Sequence, residues 1–117
     1  MTFHKDLPYL MHILNAINDI EESIKQLSKK EFEKAKDSKD ATIRRVEIIG
    51  EAVKNISPQL RGAYPEVEWK KIAGTRDRIT HAYFAVDLNV IWEIVTRRLP
   101  VLKRQVTKIV NELKGER

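Results

Sequence analysis

Apolar residues recur at intervals of three and four along most of the chain, which is the spacing of one face of an amphipathic helix. The first run follows Pro8, which suits the first turn of a helix, and Asp6 is its candidate cap. A second run covers about residues 41–56, a third begins near 66–69, and a fourth follows Asp87, another candidate cap. No segment alternates like a β-strand. The pattern therefore predicts an all-α protein, an antiparallel bundle of four to five helices.

Glycine, proline and charged residues mark several special positions in or between the predicted helices. Gly50 lies in the apolar stripe of the second predicted helix, where glycine costs about 1 kcal/mol relative to alanine, so we expect another backbone close by. Pro100 falls within the fourth run, whose apolar positions stay in phase on both sides, so we expect one long carboxy-terminal helix with a kink. Ser57-Pro58 is predicted to end the second helix, and residues 28–40, rich in charge, read as a solvated connection with room for one short helix.

Length and charge narrow the class of protein. The 117 residues fit a single domain, 1–117, small enough that a partner subunit would add useful burial. A formal net charge of +5 favours an anionic partner such as nucleic acid. The absence of cysteine excludes disulfides, zinc thiolate sites and thiol nucleophiles. No segment approaches the roughly twenty apolar residues of a membrane span, so we expect a soluble, cytoplasmic protein with no membrane partner.

The third predicted helix carries Arg76, Asp77, His81 and Tyr83 in under three turns. A histidine can move a proton near neutral pH, and a guanidinium binds phosphate oxygens in a planar fork. Asp77 and His81 share one helical face, so Asp77 can orient His81. Arg76 and His81 diverge by about 140° on an ideal helix, so closing both on one phosphate needs the reach of Arg76, a local bend or a second protomer.

This set of side chains fits metal-independent chemistry at an RNA phosphodiester, with no cofactor. His81 would take the proton from a ribose 2′-hydroxyl, which then attacks the adjacent phosphorus, while Arg76 stabilises the charge on the phosphoryl oxygens. Asp77 would fix the imidazole tautomer. The expected product is a 2′,3′-cyclic phosphate. The alternative interpretation is a solvated polar face with weak ion pairs.

Other candidate residues have structural explanations. The position of Tyr83 on the helical wheel predicts a half-buried ring with an exposed hydroxyl, and Trp69 and Trp92 are predicted to be core or interface anchors rather than base-stacking platforms. His4 and His12 have no partner at the spacing of metal ligands, so the sequence assigns them no function and predicts no metal site.

The motif Arg, polar residue, three variable residues, His, one residue, Tyr resembles the signature of the HepT-like branch of the HEPN superfamily. The resemblance covers nearly the whole chain. It extends to the Asp6-to-Ile24 helix, Ile48-Ile49-Gly50-Glu51-Ala52, Tyr64-Pro65-x-x-x-Trp69 and Val86-Asp87-x-x-x-x-Trp92.

The resemblance implies an all-α homodimer that is the toxin of a prokaryotic, type VII-like HEPN/MNT toxin–antitoxin system, with metal-independent ribonuclease activity on messenger or transfer RNA at the dimer cleft. It implies that Arg76 and His81 are the catalytic pair, that Asp77 occupies the supporting polar position, and that Tyr83 is adenylylated by a cognate MntA-type nucleotidyltransferase antitoxin. Two alternatives stay open: a noncatalytic helical binding or regulatory subunit of a nucleotidyltransferase, and a degenerate member that binds RNA without cutting it.

Overall fold

A computed structural model describes residues 3–85 and 87–115 of the chain. Within these residues the regular elements are all helical, which confirms the all-α prediction. The helices are α1 (Leu7–Ile24), α2 (Lys29–Lys34), α3 (Lys36–Lys54), α4 (Pro58–Ala63), α5 (Trp69–Phe84), α6 (Leu88–Glu93) and α7 (Leu99–Gly115), and a π-helical turn, Ile94–Arg98, joins α6 to α7. Val86, part of the motif after Tyr83, lies outside the described residues.

The long helices pack as a bundle in which α3 lies against both α1 and α5, and α1 also contacts α7. The predicted apolar stripes face one shared core. Its largest fully buried side chains include Leu10, Ile13, Ile17, Ile20, Phe32, Ile49, Leu60, Ile79, Ile91, Ile94 and Ile109. In the part of the chain that the structure describes, no helix combines the length and apolarity needed to cross a membrane.

The prediction that Asp6 caps α1 is wrong in its details. Asp6 occupies the N-cap position of α1, but its side chain makes no capping hydrogen bond there. Its buried carboxylate instead accepts hydrogen bonds from the Ser57 amide at 2.7 Å and the Ser57 hydroxyl at 2.6 Å. The Ser57 oxygen in turn accepts from the Leu60 amide at 3.1 Å and so caps α4. Ser57-Pro58 therefore begins a further helix, α4, which the apolar pattern missed.

The predicted solvated connection over residues 28–40 is more ordered than expected. Ser28 and Glu31 form a capping box at the start of α2, with reciprocal bonds of 3.2 and 2.8 Å, and α3 starts at Lys36 rather than near residue 41. Phe32 is fully buried and packs against Trp92, with ring centroids 5.2 Å apart. The buried ring of Phe32 therefore anchors this charged segment to the core.

The prediction that the last helix continues past Pro100 is confirmed. The Asp87 side chain accepts a hydrogen bond from the Val90 amide at 3.4 Å, which confirms Asp87 as the cap of α6. The interruption takes the form of the π turn, where the Leu99 amide bonds the Ile94 carbonyl five residues back. Pro100 has no N–H, and its ring would crowd the carbonyl four residues earlier in an α-helix. The wider turn just before it relieves this conflict.

Candidate active site on the fifth helix

The segment with the Arg/His motif forms α5, and its two faces have different surroundings. Trp69, Ile79 and Ala82 are buried against the core. Trp69 also donates its indole N–H to the Tyr64 carbonyl at 3.0 Å, which confirms it as a core anchor. Opposite them, Asp77, Arg78, His81 and Phe84 are exposed. The amphipathic pattern therefore presents the polar part of the motif to solvent.

Arg76 lies on the side of α5 that faces α3. A Cβ atom built on Gly50 would lie 3.2 Å from the Arg76 Cβ and 3.5 Å from the Ala73 carbonyl oxygen, so the prediction of a close backbone approach at Gly50 is confirmed. The Arg76 guanidinium forms two ion pairs with α3: Nε lies 4.0 Å from Glu47 Oε2, and Nη1 lies 3.9 Å from Glu51 Oε1. The arginine is therefore set between α3 carboxylates while 41% of its side chain stays exposed.

The sequence had not linked these carboxylates to Arg76. At helical spacing, Glu47 and Glu51 lie within pairing distance of other polar residues of their own helix. The available signal was their position on either side of Gly50, three residues before it and one after it, because a helix that approaches the glycine must also approach its neighbours.

A cavity of about 310 Å³ opens beside Arg76, between α1 and α3. Arg44, Glu47, Glu51 and Arg76 contribute charged groups to its lining, and Tyr9 and His12 contribute rings whose centroids lie 6.3 Å apart. His12, to which the sequence assigned no function, is thus a neighbour of the candidate site. The cavity is large enough to admit a phosphate or a ribose to the guanidinium.

His81 and Asp77 behave differently from Arg76. Both are exposed, and neither side chain has a hydrogen-bond or ion-pair partner within residues 3–85 and 87–115. His81 therefore donates no hydrogen bond to Asp77 within the described residues, although the two residues lie one turn apart on the same face of α5. The orientation of His81 by Asp77 stays a prediction.

The single chain does not bring Arg76 and His81 onto one point. Arg76 faces α3, whereas His81 faces solvent, as the divergence of their positions on the helix predicts. For Arg76 and His81 to contact the same substrate phosphate, one of the two side chains must move, or the second contact must come from another copy of the chain.

Tyr83 is partly buried, and its ring packs against the core, as predicted. Its hydroxyl donates a hydrogen bond of 2.6 Å to Asp40 Oδ1 near the start of α3. This bond, with a smaller contribution from desolvation and from the negative charge of Asp40, raises the pKa of Tyr83 above its usual value. Sequence reasoning missed Asp40 because it lay in the segment predicted to be a solvated connection.

Other polar clusters add no candidate for a metal centre. Within the described ranges, no three histidine or carboxylate side chains converge so as to hold a metal ion.

Comparison with known proteins relates most of the chain to one family. The family described as ribonuclease HepT-like matches residues 13–109. The chain is 42% identical over 106 residues to "Probable ribonuclease HepT" of Thermococcus cleftensis, an alignment that covers 91% of this chain and 94% of the relative. It is 41% identical over 107 residues to a "Putative RNase" of Caldanaerobacter subterraneus subsp. tengcongensis, with 92% and 96% covered.

One relative is longer than this chain, and its name gives a second activity beside that of an RNase. The "Gamma-glutamylcyclotransferase and putative RNase" of Methanocaldococcus jannaschii is 45% identical over 105 residues, which are 90% of this chain and 47% of that protein. The chain thus spans about half the length of this relative. No solved structure matches the chain with significance.

Proposed function

Because this chain belongs to the ribonuclease HepT-like family of the HEPN superfamily, we propose that it is a metal-independent endoribonuclease and the toxin of a type VII-like toxin–antitoxin pair. The observation that carries the proposal is the arrangement on α5: His81 is exposed to solvent, and Arg76 lines a cavity large enough for a phosphate group. Relatives named as ribonucleases at 41% and 42% identity support the same reaction class.

The proposed reaction is an internal transesterification of RNA. The His81 imidazole accepts the proton of a ribose 2′-hydroxyl, the 2′-oxygen forms a bond to the adjacent phosphorus, and the bond from phosphorus to the 5′-oxygen breaks. The leaving 5′-oxygen takes up a proton, so the products are a 2′,3′-cyclic phosphate and a 5′-hydroxyl. Arg76 stabilises the negative charge that develops on the phosphoryl oxygens. Asp77 supports the reaction by orienting His81 once the complex with RNA has formed.

We propose that the site is completed by a homodimer. Arg76 and His81 face different directions within one chain, so a two-fold axis beside α5 would supply the missing neighbour to each. Phe84, one turn beyond His81, is 78% exposed, and we place it in this interface because dimerisation would bury its ring.

Tyr83 is the proposed point of control by a cognate MntA-type nucleotidyltransferase. Transfer of an adenylyl group from ATP would form a bond from the Tyr83 oxygen to the α-phosphorus and release pyrophosphate, and the phenolic proton would be lost. In this structure the hydroxyl donates its hydrogen to Asp40, and this hydrogen bond is lost with the phenolic proton in the transfer step. The product adds bulk and negative charge two residues from His81, which would repel RNA.

The experiment that tests the cleavage is an incubation of purified protein with total RNA in excess chelator. Wild type, His81→Ala and Arg76→Ala are compared, and the ends of the products are identified. We expect cleavage by wild type with cyclic-phosphate ends, a fall of about 10²- to 10⁴-fold for His81→Ala, and a fall of about 10²- to 10³-fold for Arg76→Ala.

Matched controls separate this activity from a contaminating nuclease. His4→Ala and Arg104→Ala remove an exposed histidine and an exposed arginine away from α5, so both should cut like the wild type after the same purification. Intact RNA with wild-type protein, when a mass spectrum shows unmodified Tyr83, would contradict the proposal. That result would favour the noncatalytic nucleotidyltransferase-binding subunit.

A further inference from the structure

Two carboxylates of α3 lie beside the guanidinium of Arg76. Glu47 and Glu51 lie one turn apart on α3, and they approach Nε and Nη1 respectively. The close packing of α5 against Gly50, between them in sequence, fixes the base of the arginine side chain at the same place. The backbone and the head group of Arg76 are therefore both located by one stretch of α3.

We propose that Glu47 and Glu51 are positioning residues for Arg76 in RNA cleavage, an inference that rests on the proposed function. An arginine side chain has many rotamers, and a catalytic group contributes most when its orientation is set before the substrate arrives. Two negative charges on α3, one near Nε and one near Nη1, favour orientations of the guanidinium that point toward α3. The charged head is thus presented beside the 310 Å³ cavity rather than left free in solvent.

The distances favour positioning over inhibition. Separations of 4.0 and 3.9 Å are longer than charge-assisted hydrogen bonds, which measure about 2.7–2.9 Å, so the pairs do not occupy the N–H donors of Arg76. The guanidinium keeps these donors for phosphate oxygens, and 41% of its side chain is accessible to them. A carboxylate that blocked the site would accept hydrogen bonds from these N–H groups at shorter distances.

The two glutamates should differ in their contribution. The Glu47 side chain is 30% exposed and that of Glu51 is 59% exposed, and an ion pair is screened less by water when it is more buried. We therefore expect the orientation of Arg76 to depend more on Glu47 than on Glu51.

A kinetic experiment separates positioning from a merely structural role. Glu47→Gln, Glu51→Gln and the double variant keep the shape of the side chains but remove their charge. We expect kcat to fall by about 10- to 100-fold in the double variant because Arg76 loses its orientation. RNA binding should stay equal or become tighter, since two negative charges near the phosphate are gone. Glu22→Gln, which removes an exposed ion pair with Lys25 on α1, is the matched control and should leave kcat and RNA affinity unchanged.

The melting temperature shows whether a fall in kcat comes from a less stable fold. The melting temperature should stay within about 2 °C of wild type, because exposed ion pairs contribute little to folding. An unchanged or increased kcat in the double variant would overturn the proposal, and an increase would mean that the carboxylates restrain the enzyme.

A second measurement decides the inference without cleavage. The Nε–H signal of Arg76, identified by its loss in Arg76→Lys, should have a high NMR order parameter in the wild type and a clearly lower one in the double variant. If the wild type cuts no RNA, the proposed function fails, and this order parameter alone decides the positioning: a decrease supports it, and an unchanged value overturns it.

Discussion

Gly50 of α3 and Arg76 of α5 are in such close contact that a Cβ atom on Gly50 would lie 3.2 Å from the Arg76 Cβ. This contact sets how near α5 approaches the carboxylates of α3. A change at Gly50 should therefore alter both the packing of the bundle and the location of the proposed catalytic arginine.

Gly50→Ala tests this contact. Overpacking costs about 1–3 kcal/mol, and the higher helix propensity of alanine returns about 1 kcal/mol, so we expect a net loss of about 1 kcal/mol in the free energy of unfolding. RNA cleavage should fall as well, because α5 moves. Gly74→Ala is the matched control: no atom lies within 4 Å of its added Cβ, so it should stabilise by about 1 kcal/mol. Urea unfolding measures the free energy of unfolding of both variants. If Gly50→Ala is stabilised as much as Gly74→Ala, α5 can move away from α3 at no cost, and the prediction is wrong.

The buried hydrogen bonds between Asp6 and Ser57 should contribute strongly to stability. Asp6→Ala removes a charged acceptor from the Ser57 amide and hydroxyl, so the free energy of unfolding should fall by about 3 kcal/mol. Ser57→Ala should cost about 1–2 kcal/mol through the lost cap of α4. A double-mutant cycle from urea unfolding should give a coupling of about 1 kcal/mol or more. Additive effects would contradict the importance of this pair, and Asp19→Ala, at an exposed aspartate, is the control with a change of at most about 0.5 kcal/mol.

Tyr83 should give the protein a pH dependence in the alkaline range. Its hydrogen bond to Asp40 raises its pKa in the folded state above the value of about 10 in the unfolded chain. The folded state therefore holds the phenolic proton more tightly. The stabilisation is fully present below about pH 10 and is lost as the pH rises through the folded pKa of Tyr83.

Ultraviolet titration of the phenolate checks this pH dependence. The difference between wild type and Tyr83→Phe isolates the Tyr83 signal from those of the other tyrosines. Asp40→Asn should lower the pKa of Tyr83 toward its ordinary value, since the carboxylate acceptor and its charge are removed. An identical titration in wild type and Asp40→Asn would show that the hydrogen bond is not kept in solution.

Phe84 should contribute to the proposed dimer. It is 78% exposed beside His81, so Phe84→Glu places a charge in the proposed interface and should convert the dimer to a monomer with little RNA cleavage. Val101→Glu on α7, where the native side chain is 44% exposed, is the control and should stay dimeric. Sedimentation velocity gives the oligomeric state. A dimer that survives Phe84→Glu would place the interface elsewhere.

Much of the fold follows from local sequence. The three- and four-residue spacing of apolar residues located α1, α5 and the long final helix, because a helix buries the same face at every turn. Gly50 could be read in advance as a close contact, since glycine inside a helix is unfavourable without one. The divergence of Arg76 and His81 also needed only helical geometry.

The sequence alone left out α4 and the partners of the polar residues, and it allowed one short helix near α2 without giving its bounds. α2 and α4 are six residues each, too short for a periodic apolar stripe, and they depend on Ser28 and Ser57 as caps and on buried Phe32 and Leu60. Their existence was decided by capping and by contact with the core rather than by periodicity.

Only the tertiary structure decided that Asp6 bonds Ser57, 51 residues away, that Tyr83 bonds Asp40, 43 residues away, and that Arg76 lies between Glu47 and Glu51. The sequence determined which residues share a helix face, because that relationship repeats every turn. It did not determine which faces meet, because the pairing of distant helices depends on how all the side chains of the bundle pack together.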